Sequence, residues 1–153
     1  MKTLENRIPP PLVGLVCAIA MWGLARATPA FAMPSALCLA LAAGCALLGI
    51  GIAVAGVAAF RRARTTVNPL KPESASEWVT GGIYRITRNP MYLGMALVLL
   101  GWALFLSAPA SLLGVVAFVA FIDRLQIRPE ERAMLALFGE SFRAYATRVR
   151  RWL

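Results

Sequence analysis

The chain alternates between long apolar runs and short polar islands. Four apolar runs stand out, at residues 11–25, 35–60, 91–108 and 111–122. A helix needs about 20 mostly apolar residues to cross the hydrocarbon layer, so each run reads as a spanning helix or a short, tilted one. The first is short, and Pro9, Pro10 and Pro11 stand at its head. The second carries Gly44, Gly49, Gly51, Ala55 and Ala59, small residues whose spacing lets a second helix approach closely. Only a short stretch with Pro109 separates the third run from the fourth, which predicts a helical hairpin with almost no loop. The pattern therefore predicts an all-α fold: an integral membrane helical bundle of about four transmembrane helices. It forms one domain, with two spans in residues 1–60 and a loop, hairpin and tail in residues 61–153.

The polar islands are more specific. The central loop, residues 61–89, is long for a compact domain, and long loops are usually functional or disordered. Its turn residues (Asn68-Pro69, Lys71-Pro72, Gly81-Gly82) and its aromatics Trp78 and Tyr84 predict an ordered lid or re-entrant segment. Residues 74–77 start a short helix in this reading. The tail, residues 129–153, predicts a cytoplasmic amphipathic helix. Pro129 suits a first helical position, and Glu130 and Glu131 suit the positive end of a helix dipole. Met134, Leu135, Leu137 and Phe138 make an apolar face, and Gly139 marks a break. Beyond it, Phe142, Tyr145 and Val149 oppose Arg143, Arg148, Arg150 and Arg151. That pattern predicts an interfacial helix on acidic lipid, with Trp152 in the interfacial belt.

Composition supports the membrane reading. The chain is 59% hydrophobic, with a formal net charge of +9 and a mean hydropathy of +0.69. The basic residues cluster before the first run, in the central loop and in the tail. Arg26 alone lies between the first two runs, and none lies between the last two. This is the positive-inside pattern, so both termini and the central loop are expected in the cytoplasm, and the richness in Ala and Arg points to a bacterial inner membrane. The same distribution argues for a lipid bilayer and against nucleic acid as partner. The first run also has the features of a signal peptide, with Ala25-Arg26-Ala27 and Ala30-Phe31-Ala32 as cleavage sites. An uncleaved span is the preferred expectation.

The chemistry available is narrow. There is no histidine, which removes the commonest general base and metal ligand, and no Ser-His-Asp set is possible. Cys17, Cys38 and Cys45 lie in apolar runs without metal spacing, so no metal site is expected. Glu130 and Glu131 project about 100° apart on a helix, so one can face a ligand while the other meets water or an arginine. Arg85 and Arg88 share a face if the local chain is helical, and guanidinium forks suit carboxylate or phosphate. Tyr84 and Tyr92 can sit in the interfacial belt or stack on a flat ligand. Asp123, beside Arg124, is either a functional group at the membrane edge or one half of a local ion pair. Taken singly, each of these residues has an ordinary structural explanation.

Together they form a recognisable order. Thr66-Val67-Asn68-Pro69 is followed by Gly82-x-Tyr84-Arg85-x-x-Arg88-Asn89-Pro90-x-Tyr92-x-Gly94. After the hairpin comes Glu130-Glu131-x-x-x-Leu135-x-x-Phe138-Gly139-x-x-Phe142-x-x-Tyr145-x-x-Arg148-Val149-x-Arg151-Trp152. From about Thr65 to its end the chain resembles the isoprenylcysteine carboxyl methyltransferase and phospholipid N-methyltransferase group. The resemblance implies S-adenosylmethionine as methyl donor, bound near the cytoplasmic face. It nominates Tyr84, Arg88, Asn89, Pro90, Tyr92, Gly94, Glu130, Glu131 and Leu135 for cofactor binding, and Arg85, Arg88 and Glu131 for catalysis. Phe138 joins Tyr92 and Leu135 as a candidate for an adenine slot, and Arg85, Arg143 or Arg148 for holding an acidic acceptor. Asn89 stands where many relatives have histidine, so no titrating imidazole is expected there. The acceptor is expected to be a hydrophobic, membrane-resident molecule: an isoprenylcysteine-like carboxylate, or a lipid amine, hydroxyl or thiol. Two alternatives carry their own tests. A membrane sterol or enone reductase would be stabilised by NADPH, and a non-catalytic lipid-binding scaffold would tolerate loss of Asn89, Tyr92 and Glu131.

Overall fold

The computed structural model describes residues 7–31, 35–62 and 79–153. The expected helix at residues 74–77 and the Thr66-Val67-Asn68-Pro69 motif lie outside the described residues. Every predicted apolar run is helical: α1 (Pro10–Ala27), α2 (Ser35–Arg62), α3 (Pro90–Leu106) and α4 (Leu112–Ile122). α5 (Arg128–Arg148) completes the set. Tight 3-10 turns at Gly82–Arg85 and Pro109–Ser111 connect them, and a π-helical turn at Asp123–Ile127 joins α4 to α5. By length and composition three helices can cross a membrane: α1, α2 and the continuous rod from Pro109 to Arg148. α3 is apolar but shorter, at 17 residues. The protein is thus all-helical and integral to a membrane.

Prolines start two of these helices. Pro10 and Pro90 occupy first helical positions, where the missing N–H costs nothing and the fixed φ suits the helix. The hairpin turn predicted at Pro109 is present. Ser107 ends α3 in the left-handed region (φ 53°), and the fully buried Ser111 donates its hydroxyl to the Ala108 carbonyl at 2.6 Å.

α3 stands at the centre, with α2 along one side and α1 and α4 on the other. The α2–α3 seam is antiparallel, and its α2 side is built from small residues seven apart. Ala42, Gly49 and Gly56 of α2 meet Gly101, Gly94 and Pro90 of α3. A Cβ on Gly49 would lie 2.5 Å from the Gly94 carbonyl, and one on Gly94 would strike the Gly49 carbonyl. Without an aqueous driving force, such backbone-to-backbone approach is how membrane helices gain dispersion energy. The expectation from spacing was right for Gly49 and wrong for Gly44 and Gly51, which face open space. On the other side of α3, the fully buried Met21 of α1 fills the space left by Gly114 of α4. The Trp102 indole N–H donates to the Ala18 carbonyl at 3.0 Å, tying α1 to α3. Leu15, Ile19, Leu47, Leu48 and Val54 remain exposed, as lipid-facing side chains should.

The tail departs from expectation in two respects. Pro129 does not open a new helix. The chain runs on from α4, and the Arg128 N–H bonds the Asp123 carbonyl, five residues back. Proline cannot donate to the carbonyl four residues before it and its ring crowds that group, so the helix widens by one residue to admit it. Glu130 and Glu131 therefore lie within a rod and not at a free positive helix end. The second departure concerns Phe142, Tyr145 and Val149. Gly139 does break the helix (φ 53°, ψ −130°), but the apolar face beyond it packs on protein, with Met134 and Phe138, and is buried. Trp152 likewise packs against the helix-bundle core.

Candidate active site

Polar side chains converge where α3 begins and where the apolar part of the rod ends at Ile122. Gly82 takes a positive φ (61°) and starts the 3-10 turn that carries Tyr84 and Arg85. Tyr84 is buried, edge-on to Phe60 of α2 at 5.4 Å. The Tyr145 hydroxyl donates to the Tyr84 carbonyl at 2.6 Å. Phenylalanine at 145 leaves that carbonyl without this donor and should lower stability by about 1–2 kcal/mol. Thermal unfolding in detergent checks this, and an unchanged midpoint would contradict it.

A short strap comes next. Thr87, fully buried, forms a parallel bridge with Arg150. The Arg88 N–H donates to the Arg150 carbonyl at 3.0 Å, and the Asn89 side-chain amide donates to the Arg151 carbonyl at 2.8 Å. Asn89 also takes its own N–H to the Thr87 hydroxyl at 3.2 Å, and its carbonyl receives the Leu93 N–H. The Asn-Pro step thus ends the strap and begins α3. The side chain expected to serve a cofactor is engaged in holding the C-terminal residues.

The strap carries Arg151 into the acidic groups. Its guanidinium grips Glu131 with two bonds, at 3.0 and 2.6 Å, and donates to Asp123 at 3.0 Å. Arg88 reaches Glu131 from the other side at 3.0 Å, and Arg128 meets Asp123 at 3.0 Å. The order is Arg88–Glu131–Arg151–Asp123–Arg128. The Glu131 hydrogen bond is the main reason the Arg151 guanidinium is held above its ordinary range, with Asp123 adding to it. The Arg88 Nε is buried with no partner among the described residues.

Glu130 turns away from this chain of charges. It accepts the Tyr92 hydroxyl at 2.5 Å. The charged groups from Asp123 onward place Glu130 outside the apolar stretch. Burial pushes its carboxyl up to about 7; the Tyr92 bond pulls it back and the Glu131 charge adds to the rise. Burial, followed by the nearby Tyr145 and Glu130, also raises the Tyr84 hydroxyl, so it stays protonated.

The structure brings together Tyr84, Arg88, Asn89, Pro90, Tyr92, Glu130 and Glu131. Gly94 lies one turn into α3, against Gly49 and Ala53 of α2. Arg85 is exposed on the 3-10 turn, and Leu135 is 38% exposed on α5. Phe138 packs with Phe142 and Tyr145, and Arg143 pairs with Glu140 at the surface. Among the described residues no group of side chains could hold a metal ion. Sequence reasoning passed over Thr87, and it gave Tyr145 and Arg151 no role in the site although both stand in the C-terminal motif. Arg151 lies twenty positions after Glu131, and nothing in a linear spacing signals a pair formed by folding the tail back.

An all-helical membrane protein with a part-buried cluster of acids and arginines beside buried tyrosines at its helix mouths is equipped to bind a charged small molecule beside the bilayer. Residues 37–141 match the phospholipid methyltransferase family, and the chain belongs to it. That family is one of methyltransferases acting on membrane lipids. The chain is also 43% identical, over 63 residues, to an uncharacterized protein of Haemophilus influenzae; the match covers 41% of this chain and all of that protein. No solved structure matches the chain.

Proposed function

We propose that the protein transfers a methyl group from S-adenosylmethionine to a hydrophobic lipid acceptor at the cytoplasmic face of a bacterial inner membrane. In this reading all four apolar helices cross the bilayer and both termini are cytoplasmic, which the arginine distribution favours. The observation that carries it is the pairing of Glu130 with Tyr92 beside the Arg88–Glu131 pair, in a chain of the phospholipid methyltransferase family. The donor set suits the methyl donor. Arg88 has a buried, unpartnered N–H for a carboxylate, and Glu130 suits an ammonium or ribose hydroxyls. When bound, S-adenosylmethionine supplies an electrophilic methyl group on a sulfonium. The protein then has to bind, align and exclude water, because in-line transfer needs little covalent help and positioning lowers much of the barrier. Arg88 and Glu131 hold the site's shape and charge, Tyr84 and Tyr92 wall it, and Arg85 is free to meet an acidic acceptor. Radiolabelled S-adenosylmethionine should bind the wild type and not a variant with Arg88→Ala, Glu130→Ala and Glu131→Ala together; binding that survives the triple change sinks the assignment.

The state of Glu130 gives a pH dependence. Its ionised form favours the cationic donor, so binding below about 7 must first remove a proton. Affinity should therefore rise with pH and level off above about 7, falling at most about tenfold per pH unit below it. Glu130→Gln should flatten this profile. Without donor the sign reverses. The folded acid holds its proton more tightly than the unfolded one, whose ordinary value is 4.5, so this group's contribution to stability declines as pH rises from 4.5 to about 7. Titration of donor affinity and of the unfolding midpoint across pH 5 to 8, on the order of physiological range, checks both signs.

A further inference from the structure

The π-helical turn decides which way the two glutamates face. Such a turn holds one residue more than an α-turn, so each residue beyond it stands about 100° and about 1.5 Å from where an unbroken helix would carry it. With the turn present, Glu130 meets Tyr92, and Glu131 meets Arg88 and Arg151. In an unbroken helix each residue would take the direction its successor now has. Pro129 would then face Tyr92, and Glu130 would face the arginines. Pro129 widens the helix, but a proline is compatible with a plain kink as well as with a π-turn. The anchor is Gln126, within the turn and fully buried. Its side-chain amide donates to the Ile8 carbonyl at 2.8 Å, just before the head of α1 and 118 positions away in the chain. Its neighbour Ile127 lies in the same core as Tyr92, with Ile8 packed against that core. The Gln126 amide oxygen is buried with no partner among the described residues. A half-satisfied buried amide costs stability that an apolar side chain of similar size does not, so what glutamine contributes here is the one bond it makes.

We propose that Gln126 is a positioning residue that fixes the rotational phase of the rod. By pinning the π-turn to the head of α1, it points Glu130 at Tyr92 and Glu131 at the arginines. α1 contributes none of the site's named side chains, yet through this bond it governs their geometry. The inference rests on the methyltransfer reading only for its consequence on donor binding. The phase itself is a property of the fold.

The Tyr92–Glu130 bond reports the phase, and a double-mutant cycle on the whole protein in detergent reads it without donor. The losses of unfolding midpoint from Tyr92→Phe and Glu130→Ala should be non-additive, because both remove the same bond. Gln126→Leu should lower the midpoint and make those two losses additive. A glutamine that only packs would lower the midpoint and leave the coupling intact; that result overturns the proposal. Gln126→Met, unbranched and adaptable, gives the same comparison if leucine prevents folding. The phase can also be restored without the anchor. Deleting the exposed Arg124 together with Pro129→Ala leaves an α-turn of the same phase. These two changes should bring the coupling back in the Gln126→Leu protein, and coupling that stays lost refutes phase as the cause. Titration with radiolabelled S-adenosylmethionine then separates the two readings. Gln126→Leu should weaken donor binding about tenfold or more, with recovery in the phase-restored protein. Coupling lost at unchanged donor affinity removes Glu130 from the donor site and leaves the role of Gln126. The expected coupling in a protein that binds no donor at all overturns the methyltransfer reading alone.

Discussion

Leucine at position 94 is expected to break the membrane core, whereas leucine at position 51 should leave it intact. Both positions are glycines in apolar helices, and nothing local separates them. Gly94 faces the Gly49 backbone and Ala53, where even one added carbon meets atoms closer than van der Waals contact. The obstacle is backbone on the facing helix, which cannot rotate aside as a side chain can. α2 and α3 must separate, and every small-residue contact along the seam loosens with them. Overpacking of this kind costs about 1–3 kcal/mol for a side chain that can adjust, and more here. Because Asn89, Pro90 and Tyr92 sit at the head of α3, the site should be displaced too. Gly51 faces open space, and a larger apolar side chain there only meets lipid, with a change within about 0.5 kcal/mol. Thermal unfolding of the two variants in detergent checks the contrast. Similar losses in both would show that glycine's own conformational freedom matters, and not the seam.

Glu131→Ala should have the second largest effect, on stability and activity together. Its carboxylate lies between Arg88 and Arg151 and is the anion both of them use. Removing it leaves two guanidiniums facing each other, with Arg151 still tied to Asp123 and Arg88 stripped of its ion pair. A fully buried pair broken in this way costs about 3–5 kcal/mol. These side chains keep 14–32% exposure, so solvent screening reduces the expected loss to about 2 kcal/mol. Activity should fall further, by about 100-fold, because the strap bearing Arg151 and the Arg88 side chain both lose their register. Arg151→Lys is the milder companion, since one ammonium cannot grip Glu131 twice and reach Asp123 as well. The unfolding midpoint and methyl-transfer rate of each variant test the order Glu131→Ala worse than Arg151→Lys. A Glu131→Ala protein with wild-type turnover would remove Glu131 from the site.

Much of the fold was legible in the sequence because it is written in local terms. Hydrophobic runs specify helices in lipid whatever their neighbours, since a backbone without water must bond within its own segment. Pro109 marked a turn for an equally local reason, and Gly139 marked a break. The acidic pair, the arginines and the two tyrosines were legible as an unusual set, and their order carried the family resemblance. Which way each pointed was not legible. Adjacent glutamates diverge on any helix, and only the packed bundle gave Glu130 to Tyr92 and Glu131 to the arginines.

What the sequence by itself determined is the membrane class, the helical runs and the family, because length, hydropathy and motif order are properties of consecutive residues. Only the tertiary structure decided that Gly49 and Gly94 form the seam while Gly44 and Gly51 face outward. Small residues permit close approach but do not say which face is approached. It also decided that Pro129 sits inside a rod and that the apolar face of the tail packs on protein. Above all it brought Arg151 back over Glu131 through the Thr87–Arg150 strap, a contact between residues far apart in the chain. That pairing depends on the crossing of α3 by the rod, which no linear spacing contains.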